Sequence, residues 1–180
     1  MALKDKKCKN CKKVYTPSNP LQYICSVKCA VQYAAKRKEL KAKEERKEAK
    51  ESLLTKQDYI KILQGVFNHY IRLRDKDEPC ISCGCDMTNR KGDASHFFPT
   101  TYQYLRFNED NVHLACVTCN RYKHGNIQEY APRLEKKIGF ERMQNLYYTK
   151  HHRFDLGIPE LKQLITEYKQ KVKTLKNDNN

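Results

Sequence analysis

The sequence predicts a mainly helical fold with two small β elements, each fastened by a four-cysteine zinc site. The cysteines occur in closely spaced pairs, and helical composition or periodicity fills the segments between them. In 180 residues there are 9 Cys and 12 Tyr but no Trp, and aliphatic residues are sparse. A thin core of this kind needs additional staples, and cysteine-bound zinc can supply them.

The charge of the chain indicates a polyanionic partner. Lys and Arg number 36 against 21 acidic residues, which gives a net charge of +15. Nucleic acid and an anionic membrane surface both match this excess, and the cysteine knuckles favour nucleic acid. The first residues lack the apolar core of a signal peptide, and no apolar run approaches membrane-spanning length. We therefore expect a cytosolic protein with reduced thiols and no membrane partner.

Residues 1–30 have the cysteine spacing of a structural zinc module. Cys8-x-x-Cys11 precedes Cys25-x-x-x-Cys29, with thirteen residues between the two pairs. A short strand at 14–15 and a return strand at 21–24 flank a turn rich in Pro, Ser and Asn. Zinc here would contribute on the order of 10 kcal/mol of folding free energy. The module is either a staple alone or a contact for DNA or protein, and its lysines favour phosphate contact.

Residues 31–56 form a charged helical arm. The stretch from Ser26 to Lys56 contains no Gly or Pro and is rich in Ala, Lys, Glu and Arg, which predicts a helix. Residues 1–56 hold 16 Lys and Arg against 6 Asp and Glu, so +10 of the total +15 precedes the rest of the chain. The arm is either a solvated linker helix or an electrostatic arm lying along nucleic acid. In the second case, the expected DNA contacts are Lys36, Arg37 and Lys41.

The third region, residues 57–150, opens with a predicted helix. Thr55-x-x-Asp58 is close to a capping box, and Pro79 ends the segment. Apolar residues then recur at three- and four-residue spacing, which predicts an amphipathic helix that packs on the following domain. These residues are Tyr59, Ile60, Leu63, Val66, Phe67, Tyr70 and Ile71.

Two further knuckles follow in this region and bracket a long insertion. The predicted ligands of a second zinc are Cys80, Cys83, Cys116 and Cys119, with 32 residues between the pairs. Cys85 is left over; it could replace Cys83, but the symmetric spacing favours Cys83. Within and after the insertion we predict strands at 93–98 and 111–114, and a helix at 117–123 that ends at Gly125.

The polar residues of this region match the requirements of phosphodiester hydrolysis. A neutral histidine at pH 7 can take a proton from water, which makes His96 the candidate base, with the Asn111 amide orienting its imidazole. Asp93 and Asn120 are candidate ligands of Mg²⁺ or Mn²⁺. Asp93 and His96 lie three positions apart, so on a regular strand they face opposite sides. Either a bulge turns Asp93 inward, or the metal uses another ligand such as His113. The expected phosphate contacts are Arg106, Arg121 and Lys123.

The order His96, Asn111, Cys116-x-x-Cys119-Asn120 resembles the HNH (ββα-metal) endonuclease superfamily in its four-cysteine zinc form. The segments Cys80-Ile-Ser-Cys-Gly, Asp93-Ala-Ser-His-Phe and Asn111-Val-His-Leu-Ala-Cys resemble the lambdoid-phage NinG, or Rap, recombination nucleases. The similarity covers essentially the whole chain. It implies a zinc-stapled ββα-metal finger flanked by helices, and a metal-dependent endonuclease in the cytoplasm of a bacterial host. It also implies branched double-stranded DNA, such as Holliday junctions and D-loops, as the substrate.

The C-terminal part is predicted to be helical. Short helices at 132–138 and 140–148 are separated by Gly139, and the region 151–180 holds a last helix from Pro159 and a disordered tail at 177–180. The apolar stripe of the last helix either packs against the helix at 59–71 or forms a homodimer seam. The paired His151 and His152 are typical of solvated surface histidines.

Two alternatives to a branch-specific nuclease remain open at this stage. A non-catalytic DNA-binding accessory protein with two zinc ions would explain the charge and the cysteines but would leave His96 and Asn111 without a role. A sequence-specific HNH nuclease of the homing or restriction type would need a base-reading module, and the compact chain shows none.

Overall fold

The computed structural model describes residues 3–177, which fall into two compact units divided between Leu54 and Thr55. The chain is mainly α-helical, with two small antiparallel sheets of two strands each in the described residues. This confirms a mainly α fold with a small β content. Over the same residues, no helix is both long and apolar enough to cross a membrane.

The first unit begins with a two-stranded sheet. Strand β1 (Lys6–Lys7) pairs antiparallel with β2 (Val14–Tyr15). The prediction of a return strand at 21–24 is wrong, because the partner of β2 lies before it in the chain. The segment after Pro20 is held instead by single hydrogen bonds: the Tyr15 hydroxyl donates to the Gln22 carbonyl, and the Lys9 amide donates to the Tyr23 carbonyl.

Helix α1 (Val27–Ser52) follows this sheet and confirms the helical arm. The Ser26 side chain caps its first turn by accepting from the Cys29 amide, and none of the residues in the helix is buried. Lys41 and Glu45 form the kind of exposed one-turn ion pair that the composition predicts. The helix ends at Ser52, before the predicted Lys56, because Thr55 begins the next helix.

The second unit opens with α2 (Lys56–Arg74), whose start confirms the capping box. The Thr55 side chain accepts from the Asp58 amide, and the Asp58 carboxylate accepts from the Thr55 amide. Of the seven residues in the predicted stripe, all but Val66 are buried. This face of the helix is therefore part of the core of the unit.

A β-hairpin forms the middle of the second unit. Strand β3 (Gly92–His96) pairs antiparallel with β4 (Val112–Cys116), so that Ser95 lies opposite His113. β3 ends two residues earlier than predicted, because the Phe98 amide donates to the Asn111 side chain rather than to a strand backbone. A π-helical turn (Thr118–Tyr122) follows β4 where a longer helix was predicted. Gly125, at a φ of 87°, then reverses the chain.

Three helices complete the second unit. They are α3 (Ile127–Ile138), α4 (Phe140–Thr149) and α5 (Ile158–Asn177). α3 begins five residues before the predicted Pro132, because Tyr130 is fully buried and donates its hydroxyl to the Ser95 carbonyl.

Helix α5 packs against α2, which is the first of the two alternatives that its apolar stripe left open. The Tyr168 ring lies 5.0 Å from that of Phe67 and 5.3 Å from that of Tyr70, measured between centroids. Asn177 ends α5 and is not part of a disordered tail, while residues 178–180 lie outside the described residues.

A buried ion network joins the end of α2 to β4. Asp75 is 3% exposed, and its carboxylate accepts from the Arg74 guanidinium and from the Leu114 amide. Lys137 lies 3.8 Å from the same carboxylate. Burial opposes the charge of Asp75, but the hydrogen bonds from Arg74 and the positive charges of Arg74 and Lys137 hold its pKa well below the ordinary value. The carboxylate is therefore ionised inside the core.

We expect Asp75→Asn to lower the free energy of unfolding by about 3 kcal/mol, since it leaves the Arg74 guanidinium without its buried counter-charge. Urea unfolding with zinc present measures the change. Asp77→Asn is the matched control, because Asp77 is exposed and lies in a surface ion pair with the neighbouring Lys76 at 3.7 Å. Equal stability of the two variants would contradict a structural role for the network.

Candidate functional site

The four N-terminal cysteines form a compact group that can hold a metal ion. The thiols of Cys8, Cys11, Cys25 and Cys29 all lie within 4.8 Å of one another. Burial raises the pKa of Cys8, but hydrogen bonds from neighbouring backbone amides outweigh it and lower that pKa to about 6. Because zinc binds thiolate rather than thiol, such a group fits a structural zinc ion.

The second cysteine group differs from the predicted set in one member. Cys80, Cys83, Cys85 and Cys116 lie within 4.8 Å of one another. Cys119 is also nearby: its backbone amide donates to the Cys116 thiol at 3.4 Å, and burial, followed by the thiols of Cys116 and Cys83, raises the pKa of its own thiol. Five thiols therefore surround this position, and Cys85, which the symmetric spacing left aside, is one of them. A tetrahedral zinc would take four of the five.

His96 ends β3 with one ring nitrogen in a fixed role. Its Nε2 lies 3.0 Å from the carbonyl oxygen of Arg106. A carbonyl can only accept, so Nε2 carries the proton and Nδ1 carries the lone pair. Burial lowers the pKa of the imidazole below its ordinary value, against a smaller opposite effect of the Arg106 carbonyl. The ring is therefore neutral at pH 7, with Nδ1 as its basic atom.

Asn111 is fully buried and binds the loop that follows His96. Its Nδ2 donates to the carbonyls of Phe98 and Leu105, both at 3.0 Å, and its Oδ1 accepts from the Phe98 amide at 2.8 Å. The prediction that this amide contacts the imidazole is therefore wrong. Asn111 acts on His96 indirectly. It closes the loop that leads to Arg106, and the Arg106 carbonyl binds the imidazole of His96.

Asp93 and Asn120, the two predicted oxygen ligands of a hard metal, are in contact. The Asn120 Nδ2 donates to Asp93 Oδ2 at 3.1 Å. The Arg121 guanidinium also donates to both oxygens of Asp93, at 2.7 and 2.9 Å. Hydrogen bonds from Arg121, and to a lesser degree Asn120, lower the pKa of Asp93. Gly92–His96 is a regular strand with every residue paired, so the bulge that could turn Asp93 towards His96 is absent from it.

His113 belongs to the buried ion network and not to the surroundings of Asp93. It is 3% exposed, its Nδ1 accepts from the Arg74 guanidinium at 2.9 Å, and its Nε2 donates to the Asp110 carbonyl at 3.2 Å. Burial lowers the pKa of this imidazole. Both ring nitrogens are occupied in the core, so His113 does not supply the additional metal ligand that the sequence suggested.

The predicted phosphate contacts have different surroundings. Lys123 and the three arm residues Lys36, Arg37 and Lys41 are exposed. Arg121 has 63% of its side chain exposed in spite of its bond to Asp93, whereas Arg106 is half-buried and donates to the Gln64 side chain. Lys123, Lys36 and Arg37 are thus open to a polyanion, and Lys41 is exposed but pairs with Glu45. Arg121 and Arg106 already have protein partners.

A basic cavity beside Asp93 was not predicted. Its volume is about 600 Å³, and its charged lining comprises Arg72, Lys76, Arg90, Lys91, Asp93 and Arg121. These cations come from α2 and the segment just after it, from the loop before β3 and from the π-helical turn. In the sequence they are scattered among unremarkable surface charges, so only the fold reveals that they converge.

We expect the intact protein to bind two zinc ions per chain, measured by elemental analysis and native mass spectrometry. Cys8→Ser and Cys80→Ser should each remove one ion, because each breaks one four-thiol group. Of the variants Cys85→Ser and Cys119→Ser, one should retain both ions in the presence of a chelator and the other should lose one. The cysteine whose replacement loses the ion is the fourth ligand. A single zinc per intact chain would contradict the assignment of two sites.

Comparison with known proteins places the chain in a phage protein family. Residues 1–178 match the family model described as Bacteriophage Lambda NinG protein. Protein ninG of Escherichia phage lambda is 35% identical over 194 residues, which cover 96% of this chain and 94% of that protein. Protein ninG of Salmonella phage P22 is 33% identical over 193 residues, covering 95% and 94% of the two chains. No solved structure matches significantly. On the family model and on these whole-length similarities, the chain belongs to the NinG family.

Proposed function

We propose that this chain is a metal-dependent, structure-specific DNA endonuclease with an HNH (ββα-metal) centre. Its substrates would be branched recombination intermediates such as Holliday junctions and D-loops. The observation that carries the proposal is the hydrogen bond from His96 Nε2 to the Arg106 carbonyl. It fixes the tautomer in which Nδ1 is the proton acceptor, and burial keeps the imidazole neutral, which is the state that a general base needs at pH 7.

The surroundings of His96 support a role as base rather than as a packing residue. Burial lowers its pKa, so the imidazole is unprotonated at neutral pH, yet the side chain is not fully enclosed. The Asn111 side chain makes three hydrogen bonds to the loop that follows His96. The His96 ring is therefore held by a closed segment of backbone. In the proposed reaction, Nδ1 takes a proton from the attacking water, and cleavage leaves a 5′ phosphate and a 3′ hydroxyl.

The proposed donor set for a catalytic cation is Asp93 with Asn120, which fits a hard ion such as Mg²⁺ or Mn²⁺. Because β3 is regular, Asp93 and His96 face opposite sides of it, so the cation and the base would approach the substrate from different sides. Both offer oxygen atoms, and their side chains already meet. When bound, a divalent cation supplies charge neutralisation at the phosphate and at the leaving oxygen. Arg121 shares the Asp93 carboxylate, so guanidinium and cation would compete for the same oxygens. A guanidinium released in this way is free to donate to a DNA phosphate.

The charge of the chain supports DNA as the substrate. Ten of the fifteen excess positive charges lie in residues 1–56, and the basic cavity adds a second cationic surface beside Asp93. Such charge binds phosphate without reading sequence, which fits recognition of a branched shape better than recognition of a site. A homodimer that cuts two symmetric strands remains a further proposal.

His96→Ala should cut four-way junctions about 10²- to 10⁴-fold more slowly than the native chain, because it removes the general base. Cutting is compared on junctions and on matched linear duplex, with Mg²⁺, with Mn²⁺ and with neither ion. His124→Asn is the matched control: His124 is exposed at a φ of 48°, a backbone conformation that Asn tolerates. If neither the native chain nor the variants cut any substrate, the chain is a binding protein. Equal cutting of junction and duplex would remove branch specificity.

The rate of cutting should fall as the pH drops through the pKa of His96. That pKa lies below the ordinary histidine value of about 6.5, so the base is unprotonated and the rate is level across pH 7 to 8. Single-turnover rates on a four-way junction across pH 5 to 8 give the profile. A midpoint above pH 7 would argue against His96 as the base.

A further inference from the structure

The loop after His96 ends in an exposed surface of aromatic rings and cations. We name it the loop platform and define it by Tyr102, Tyr104, Lys150, His151 and His152. The two tyrosines come from the segment between β3 and β4, and the other three residues follow α4. Tyr104 is 43% exposed, and both histidines are exposed. None of these residues takes part in the cysteine groups, the buried ion network or the Asp93 site.

The rings of the loop platform are arranged edge to face. The Tyr102 and His151 rings lie 5.3 Å apart between centroids at 67°, and those of Tyr104 and His152 lie 5.2 Å apart at 71°. Lys150 Nζ lies 5.8 Å from the Tyr102 ring centroid and 5.2 Å from that of Phe98. In each tyrosine–histidine pair the imidazole meets the tyrosine at an angle, so the two rings do not stack face to face.

An open cavity of about 440 Å³ lies on this surface. Its lining consists of Thr101, Tyr102, Gln103, Lys150, His151, His152 and Phe154. Tyr104 lines a second cavity of about 430 Å³, which also contacts Phe154. The lining of the first cavity combines ring faces with hydroxyl and amide groups and with a cation. A purely apolar ligand would leave those polar groups unpaired, whereas a flat heteroaromatic ring with polar edges and an attached anion matches all three.

A metal ion is a poorer occupant. The two adjacent histidines have no third histidine, cysteine or carboxylate arranged with them as a ligand group within residues 3–177. Each imidazole lies instead against a tyrosine ring. A nucleotide is the better match, because its base can stack on aromatic side chains while its phosphate meets a lysine.

The loop platform is tied to the His96 site through the backbone. The three hydrogen bonds of Asn111 clamp the loop at Phe98 and at Leu105, and both tyrosines lie between those two points. Arg106, whose carbonyl holds His96, follows directly. The same closed loop therefore carries the tyrosines and fixes the proposed base.

We propose that the loop platform binds an unpaired DNA base, with Tyr104 as a stacking surface and Lys150 near the adjoining phosphate. In duplex DNA the bases are stacked and paired, so only a branch point, a gap or a single strand offers such a ligand. The placement beside the cutting site rests on the function proposed above, but the binding itself does not.

The test measures fluorescence anisotropy of labelled oligothymidylate and of a matched blunt duplex, with zinc present and without Mg²⁺ or Mn²⁺. Tyr104→Leu should weaken binding of oligothymidylate roughly 5- to 100-fold, the range expected for loss of one base–aromatic stack. Its binding to duplex should stay within about two-fold, since phosphate contacts dominate there. Tyr104→Phe keeps the ring and should retain the native affinity for both.

Two controls make the outcome decisive. Tyr148→Leu removes another highly exposed tyrosine, 80% exposed and outside the loop platform, and should leave both affinities unchanged. Thermal melting confirms that each variant is folded. Unchanged binding of oligothymidylate by Tyr104→Leu, or an equal loss on duplex, would overturn the proposal.

The proposed function can fail independently of the loop platform. Because the binding assay requires no cutting, a native chain that lacks nuclease activity would still report on base binding. Conversely, the native chain could cut junctions while Tyr104→Leu binds oligothymidylate with native affinity. The proposed nuclease function would then stand, and the proposed base-binding site would be wrong.

Discussion

The three hydrogen bonds of the Asn111 side chain are the constraint on which both proposed sites depend. A buried amide that left one of these partners unpaired would cost about 1–3 kcal/mol, so the loop from Phe98 to Leu105 has one strongly preferred closure. That closure ends β3 at His96 and brings the Arg106 carbonyl to the imidazole. Asn111 is therefore a positioning residue that need not touch substrate.

The buried ion network explains why the β3–β4 hairpin, which contains two histidines, does not present both of them to solvent. His113, Asp75 and Arg74 satisfy one another in the interior, and each partner needs the others, because an isolated buried charge would be unstable. The hairpin is thus held to α2 by a charge network as well as by apolar packing. His113 stabilises the fold, which leaves His96 as the histidine of this hairpin with a surface available for chemistry.

Most of the features that the sequence predicted depend on residues close to one another in the chain. Most of those that it missed depend on contacts between residues that are far apart in the chain. The Thr55–Asp58 capping box and the stripe of α2 depend on residues within a few positions of one another, and both were predicted. The partner of β2 was missed because two-residue strands have almost no sequence pattern. The bonding of Asn111 was missed because its partners are backbone atoms, which every residue possesses. Spacing assigned Cys119 to the second zinc group and left Cys85 aside, whereas the Cys85 thiol lies in the compact group with those of Cys80, Cys83 and Cys116.

The loop platform offers a physical route to branch selectivity that leaves no sequence motif. In the proposed function, most of the positive charge would bind phosphate of any DNA and would raise affinity for duplex and junction alike. Discrimination needs an interaction that duplex cannot make without first unstacking a base, at a cost of a few kcal/mol. An exposed tyrosine on the loop that follows the proposed base would provide such an interaction only where the DNA is already unpaired. If base and tyrosine share one clamped loop, an unpaired nucleotide that stacks on Tyr104 also brings its strand towards His96. Branch selectivity and cutting would then both depend on the one loop conformation that the hydrogen bonds of Asn111 impose.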